Sequence, residues 1–161
     1  MKPKACVKSI MFVCHGNICR SPMAEFIFKK MLKDRGLEGM VEVRSCATST
    51  EEIWNGVGNP VYPSAKAELA LHGISCEGKR AVQLQSSDYA KYDLFIGMDS
   101  ANVRNMRRIL EGDPDGKIHR LMDYTNRPGD VADPWYSDRF DVTYRDVSEG
   151  CECLLTAILE E

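Results

Sequence analysis

Ile10-Met11-Phe12-Val13, followed by Cys14-His15-Gly16-Asn17-Ile18-Cys19-Arg20-Ser21-Pro22, changes character twice within a short span. The opening apolar run has the pattern of a strand buried on both faces. Ser21-Pro22 has the composition of a helix start, a hydroxyl at the N-cap and a proline at the first helical position. Strand, tight loop and helix is therefore the predicted local unit. A loop so placed is built to cradle an anion. Its successive N–H groups and the positive end of the helix face one point, and Arg20 offers a planar fork for two phosphate oxygens, a bidentate grip that lysine lacks. The same dipole and amide hydrogens stabilise a thiolate, so Cys14 is the expected nucleophile. Gly16 lets the backbone approach a ligand without side-chain interference, and Asn17 tolerates a left-handed conformation at little cost. Ser21 has two uses open to it, as a helix cap or as a donor to the Cys14 sulfur.

Outward from this stretch, further apolar runs at Met40 to Val43, Leu94 to Met98 and Ile118 to Met122 read as strands. Helical patterns fall between and after them, at Pro22 to Arg35, Ser64 to His72, Ala101 to Leu110 and Arg139 to Leu159. The first helix is expected to turn Met23, Phe26, Ile27 and Met31 inward and to end at Gly36. The segment from Thr48 to Pro63, rich in glycine and polar residues, reads as a long surface loop. The alternation predicts one α/β domain over residues 1–161, a parallel twisted sheet with helices on both faces, with ligands at the carboxyl ends of the strands. Cys14 falls at one such end and Met98-Asp99 at another.

Composition narrows the function. The chain of 161 residues is 43% apolar, enough for a core around a sheet. A formal net charge of -3 and a pI near 5.7 provide no electrostatic footprint for nucleic acid or an anionic membrane. Met1-Lys2-Pro3-Lys4 imitates the charged start of a secretory signal, but Lys8, Ser9, Cys14 and His15 break the apolar stretch that would have to follow. Seven cysteines, at 6, 14, 19, 46, 76, 151 and 153, lack the paired spacing of a zinc ribbon or a disulfide scaffold, which points to reduced thiols and a cytoplasmic setting. Cys151 and Cys153, two apart on a helix, point to different sides and do not share a metal ion.

The stretch from Val13 to Glu25 strongly resembles the signature of low-molecular-weight protein tyrosine phosphatases, and Asp133-Pro134-Trp135-Tyr136 resembles their second motif. Val43 to Ser49, Gly58-Asn59-Pro60, His72-Gly73-Ile74 and Met98-Asp99 extend the similarity over nearly the whole chain. The resemblance implies a four-stranded parallel sheet and hydrolysis of phosphotyrosine and small aryl phosphates. It makes Cys14 the nucleophile, Arg20 the phosphate clamp and Asp133 the general acid, then base. His15, Gly16, Asn17, Ile18, Cys19 and Ser21 would form the substrate loop, with Trp54, Trp135 and Tyr136 as walls for a flat ring. Ser45 and His72 would support the loop around Asn17, and Asp99 would brace Arg20. Phosphotyrosine proteins are the implied substrates and inorganic phosphate and related oxyanions the implied inhibitors, with no metal or cofactor required. The resemblance also implies a reversible disulfide between Cys14 and Cys19 under oxidation.

Two relatives on the same scaffold offer other readings. Arginine phosphatases resemble this sequence but carry threonine where Ile18 stands. Thioredoxin-coupled arsenate reductases need shuttle cysteines near Ile96-Gly97-Met98-Asp99-Ser100, where this chain has none. A redox sensor using Cys14 and Cys19 without turnover is a third reading.

Overall fold

A computed structural model describes residues 7–160; the signal-like start at Met1 to Lys4 and the thiol of Cys6 lie outside this range. Strand β1 (Ser9–Cys14) is buried along its whole length. It pairs in parallel with β2 (Glu42–Ala47) on one side and β5 (Leu94–Gly97) on the other, and β5 pairs in parallel with β6 (Ile118–Arg120). The order β2-β1-β5-β6 means that the chain leaves β1 toward one edge and later returns to build the other. Loops after β1 and β5 therefore diverge, opening a crevice at the carboxyl ends of adjacent strands.

Side chains alternate across the sheet as the pleat requires. Ile10 and Phe12 join the core on the side of α1 (Arg20–Asp34), α2 (Pro63–Leu71) and α5 (Phe140–Leu159), whereas Met11 and Val13 join the opposite core with Met106 of α3 (Ser100–Ile109). Both faces are covered, which is why β1 reads as a continuous apolar run. Phe12 meets Phe28 of α1 at a ring separation of 5.8 Å. Met23 and Ile27 are buried as expected, but Phe28 and Leu32 hold the rest of the inner stripe while Phe26 and Met31 lie at its margin. Gly36, at φ 70°, closes α1, with its N–H donating to Lys33 and that of Leu37 to Leu32.

Three expectations need correction. The second strand is Glu42–Ala47, displaced from Met40 to Val43, because an edge strand alternates and Glu42 and Arg44 are its exposed positions. The span from Thr48 to Pro63 contains a short antiparallel hairpin, β3 (Ile53–Trp54) with β4 (Val57–Gly58). Its turn residues Asn55 and Gly56 have φ of 52° and 76°, the positive pair that a tight hairpin turn demands. Finally, Pro22 is not the first helical residue: α1 begins at Arg20, and its N-cap is Cys19 rather than Ser21.

Candidate active site

The loop after β1 is shaped by where its carbonyls go. Those of Cys14 and His15 accept from the N–H groups of Thr48 and Ser49, that of Ile18 from Tyr62, and that of Cys19 from Met23 in α1. In a trans peptide the C=O and the following N–H point in opposite directions. Outward-paired carbonyls thus turn the amides of His15, Gly16, Cys19 and Arg20 to the inner side of the loop. Asn17, at φ 60°, makes the bend between them. Its N–H donates to Cys14 Sγ at 3.3 Å and that of Ser21 does so at 3.4 Å. Ser21 Oγ lies 3.0 Å from the same sulfur, so its side chain serves the thiol and leaves the helix uncapped.

Behind the loop, Asn17 is held from three directions. Its Nδ2 donates to Ser21 Oγ (2.8 Å) and Ser45 Oγ (3.0 Å), and its Oδ1 accepts from the Val82 N–H (3.1 Å). Ser45 Oγ donates in turn to the buried Glu25 carboxylate at 2.6 Å. Lys79 Nζ donates to the Ser45 carbonyl at 2.8 Å and lies 3.7 Å from Glu25. Burial draws the Lys79 ammonium below its ordinary value even though the Glu25 charge opposes the shift. Ser45 Oγ thus links Asn17 to Glu25. His72 does not join them: it ends α2, contacts Glu68 at 3.1 Å and stacks on Tyr144 at 3.6 Å, so Lys79 and Glu25 hold the support expected of it. Glu25 falls within the quoted motif, one helical turn beyond Ser21, whereas no local pattern marks Lys79.

Arg20 is buried at the start of α1. Its Nη1 donates to Asp99 Oδ2 (2.8 Å) and to the Val131 carbonyl (2.9 Å), which anchors one end of the guanidinium. Nη2 lies 3.6 Å from Asp133 Oδ2. Burial opposes the Arg20 charge, but Cys14 and the carboxylates of Asp99 and Asp133 outweigh it and hold its proton more firmly than usual. Asp133 divides its two oxygens. Oδ1 accepts from the Trp135 N–H at 3.0 Å as the cap of a short helix, α4 (Pro134–Ser137), while Oδ2 is the oxygen nearer Arg20. The turn role and the site role belong to different atoms of one carboxyl.

These groups line a cavity of about 430 Å³ with Cys14, Asn17 and Arg20 among its lining residues together with Trp135 and Tyr136. Trp135 packs edge-on against Tyr62 at 5.3 Å, and Tyr136 is 86% exposed. Trp54 is not in that lining and stands 79% exposed on the β3–β4 hairpin, which corrects its expected place as a wall. Glu51 and Glu52, just before the hairpin, line the cavity instead, and in sequence nothing sets them apart from the polar segment around them. His15 is half exposed and pairs with Glu51 at 3.0 Å. Burial, helped by the charges of Cys14 and Asp133, pushes the Cys19 thiol up to about 12. Cys151 is buried against Ala24 whereas Cys153 is partly exposed, as their spacing on α5 implies. Among the described residues no cluster of ligating side chains could hold a metal, and no helix is long and apolar enough to cross a membrane.

Fold and site together define a class: a parallel α/β sheet whose central strand ends in an anion-cradling loop bounded by a cysteine and an arginine. The profile of the low molecular weight phosphotyrosine protein phosphatases matches residues 9–161. The chain is 37% identical to the low molecular weight protein-tyrosine-phosphatase YfkJ of Bacillus subtilis over 155 residues, covering 95% of this chain and 97% of that one. The crystal structure of YfkJ superposes with a TM-score of 0.88 over 94% of both chains, at 36% identity. The structure of SP-PTP, the low molecular weight protein tyrosine phosphatase of Streptococcus pyogenes, does so with a TM-score of 0.82 at 35% identity, over 96% of this chain and 95% of that one. The protein belongs to the low molecular weight phosphotyrosine protein phosphatase family, a family of enzymes.

Proposed function

We propose that the protein hydrolyses phosphotyrosine in proteins, and small aryl phosphates, through a phosphocysteine on Cys14. The observation that carries this reading is the convergence of Cys14 Sγ, the anchored Arg20 guanidinium and Asp133 Oδ2 on one cavity. The loop amides and the Arg20 fork hold the phosphoryl oxygens, and Cys14 Sγ attacks phosphorus opposite the phenolic oxygen. As the P–O bond breaks, the Asp133 carboxyl gives its proton to the departing phenolate. Water then attacks the phosphocysteine and Asp133, now ionised, takes its proton. Ser21 Oγ and the N–H groups of Asn17 and Ser21 stabilise the thiolate that leaves, which restores the starting state. Each step passes one proton between Asp133 and a reacting oxygen, first to the phenolate and then from water, while the loop amides and Arg20 carry the phosphoryl charge, so this chemistry calls on no metal.

Depth supports a tyrosine ester. Cys14 is buried in a cavity that Trp135 and Tyr136 also line, and we take phosphoserine to be too short to reach the sulfur with its main chain outside. Ile18 in the loop supports phosphotyrosine over phosphoarginine through the threonine that the arginine phosphatases resembling this chain carry there. The test is phosphate release from a phosphotyrosine peptide, with a phosphoarginine peptide in parallel. Release from the first alone, abolished in Cys14→Ser, is the expected result; faster release from the second overturns the substrate assignment.

A further inference from the structure

Carboxylates predominate among the ionisable groups of the cavity lining, which holds Glu51, Glu52 and Asp133. Among the described residues, the groups of that lining able to be cationic are two, the buried Arg20 and the half-exposed His15. His15 is already engaged by Glu51 at 3.0 Å. Glu52 is fixed rather than free: its Oε1 accepts from Asn59 Nδ2 at 2.9 Å, and its backbone carbonyl accepts from the Asn59 N–H at 2.8 Å. Its stem also lies against the phosphate loop, where a Cβ added to Gly16 would come within 3.2 Å of Glu52 Cγ. Glycine at 16 therefore lets an anionic side chain pack beside a loop built for anions. A carboxylate in that place weakens phosphate attraction unless the rest of the substrate returns the favour.

We infer that Glu51 and Glu52 are specificity-determining residues that select phosphotyrosine segments bearing Lys or Arg next to the phosphotyrosine. This inference rests on the phosphotyrosine reading above and concerns the residues that stay outside the cavity. With the phosphate on the loop, the substrate main chain crosses the mouth, and its neighbouring residues follow at about 3.8 Å per Cα. The first two on either side thus pass within a Debye length of the rim, roughly 8 Å at physiological salt. Cationic side chains there meet Glu51 and Glu52, and acidic ones are repelled. Trp135 and Tyr136 take part through the aromatic ring and carry no charge with which to counter the preference.

The test compares kcat/KM for two phosphotyrosine peptides alike except for Lys or Glu on both sides of the phosphotyrosine, with 4-nitrophenyl phosphate as a substrate that has no flanks. At low salt the Lys peptide is expected to lead by roughly three- to tenfold, the reach of two exposed ion pairs. That lead should shrink toward parity near 1 M salt, where the Debye length is about 3 Å. The double variant Glu51→Gln, Glu52→Gln keeps the amide oxygen that Asn59 needs and should cut the lead to below about twofold. A lead for the Glu peptide, equal rates in the unaltered enzyme, or a lead that the double variant leaves intact overturns the inference while the phosphatase reading stands. No phosphate from either peptide or from 4-nitrophenyl phosphate overturns both.

Discussion

Cys19 bounds the same loop as Cys14, the proposed nucleophile, and carries the same thiol, yet its environment sets it apart. Burial and the charges of Cys14 and Asp133 push its thiol up to about 12, so it stays protonated at neutral pH. A thiol that keeps its proton in the folded state and loses it earlier when unfolded lends stability below the ordinary 9.0, and that stability drains away as pH rises toward about 12. Denaturation of the enzyme and of Cys19→Ala should therefore converge between those limits, the unaltered protein losing its relative advantage; parallel curves contradict the assignment. Lys79 is the second residue whose meaning is spatial. It touches neither loop nor cavity lining but steadies Ser45, which holds Asn17 at its left-handed bend. Lys79→Met should lower kcat on the order of 10- to 100-fold with little change in KM, since sub-ångström misplacement of reacting groups carries such penalties. Lys79→Arg should restore part of it. A change confined to KM, or none, removes Lys79 from the positioning chain. His72 shows why sequence alone did not reach this: a helix-end histidine has the right chemistry, but α2 directs it to Glu68 and Tyr144.

Elements carry that same support over longer distances. The segment after Arg80 adds to the β2 edge, where the Ala47 N–H donates to Val82 and the Leu84 N–H to Ala47. Its Val82 N–H then reaches Asn17. The β3–β4 hairpin lies directly against this segment, and a Cβ on Gly58 would stand 1.8 Å from the Ala81 carbonyl oxygen. Backbone cannot yield to that contact without moving the strand edge. Gly58→Ala should therefore destabilise the fold by at least about 1–3 kcal/mol, the range of overpacked sites, and reduce turnover in the fraction that folds. Unchanged melting and unchanged rates would show the approach to be slack. The hairpin itself was legible in principle: Asn55-Gly56 between apolar neighbours is a strong short-range hairpin signal, obscured here because the flanking strands are only two residues each. The β2 boundary was harder, since an edge strand replaces the apolar run with alternation and the eye is drawn to Met40 and Val41 in the turn before it.

At the scale of the whole molecule, the parallel sheet and its switch between β1 and β5 bring together residues distant in the chain. Cys14 ends β1, Arg20 opens α1, Asp99 follows β5, and Asp133 caps α4. Burial on both faces left a plain mark on β1, which is why the fold class and the loop could be read from one stretch. Strand order could not, because pairing is decided by the helices that cover each face and not by any strand's own residues. Trp54 met a similar limit: an exposed aromatic in a loop announces its chemistry but not its direction. The proposed mechanism requires most that Cys14 carry the phosphoryl group while Asp133 governs its arrival and departure. With 4-nitrophenyl phosphate the leaving group needs no proton, so in Asp133→Ala the first half-reaction proceeds while hydrolysis, deprived of its base, lags by roughly 10²–10⁴-fold. Rapid quenching followed by peptide mass spectrometry should find a burst of 4-nitrophenol matched by one phosphoryl group on the peptide containing Cys14, absent when Cys14 is also replaced by Ser. A phosphoryl group on any other residue, or steady product release with no covalent intermediate in the variant lacking Asp133, contradicts the account.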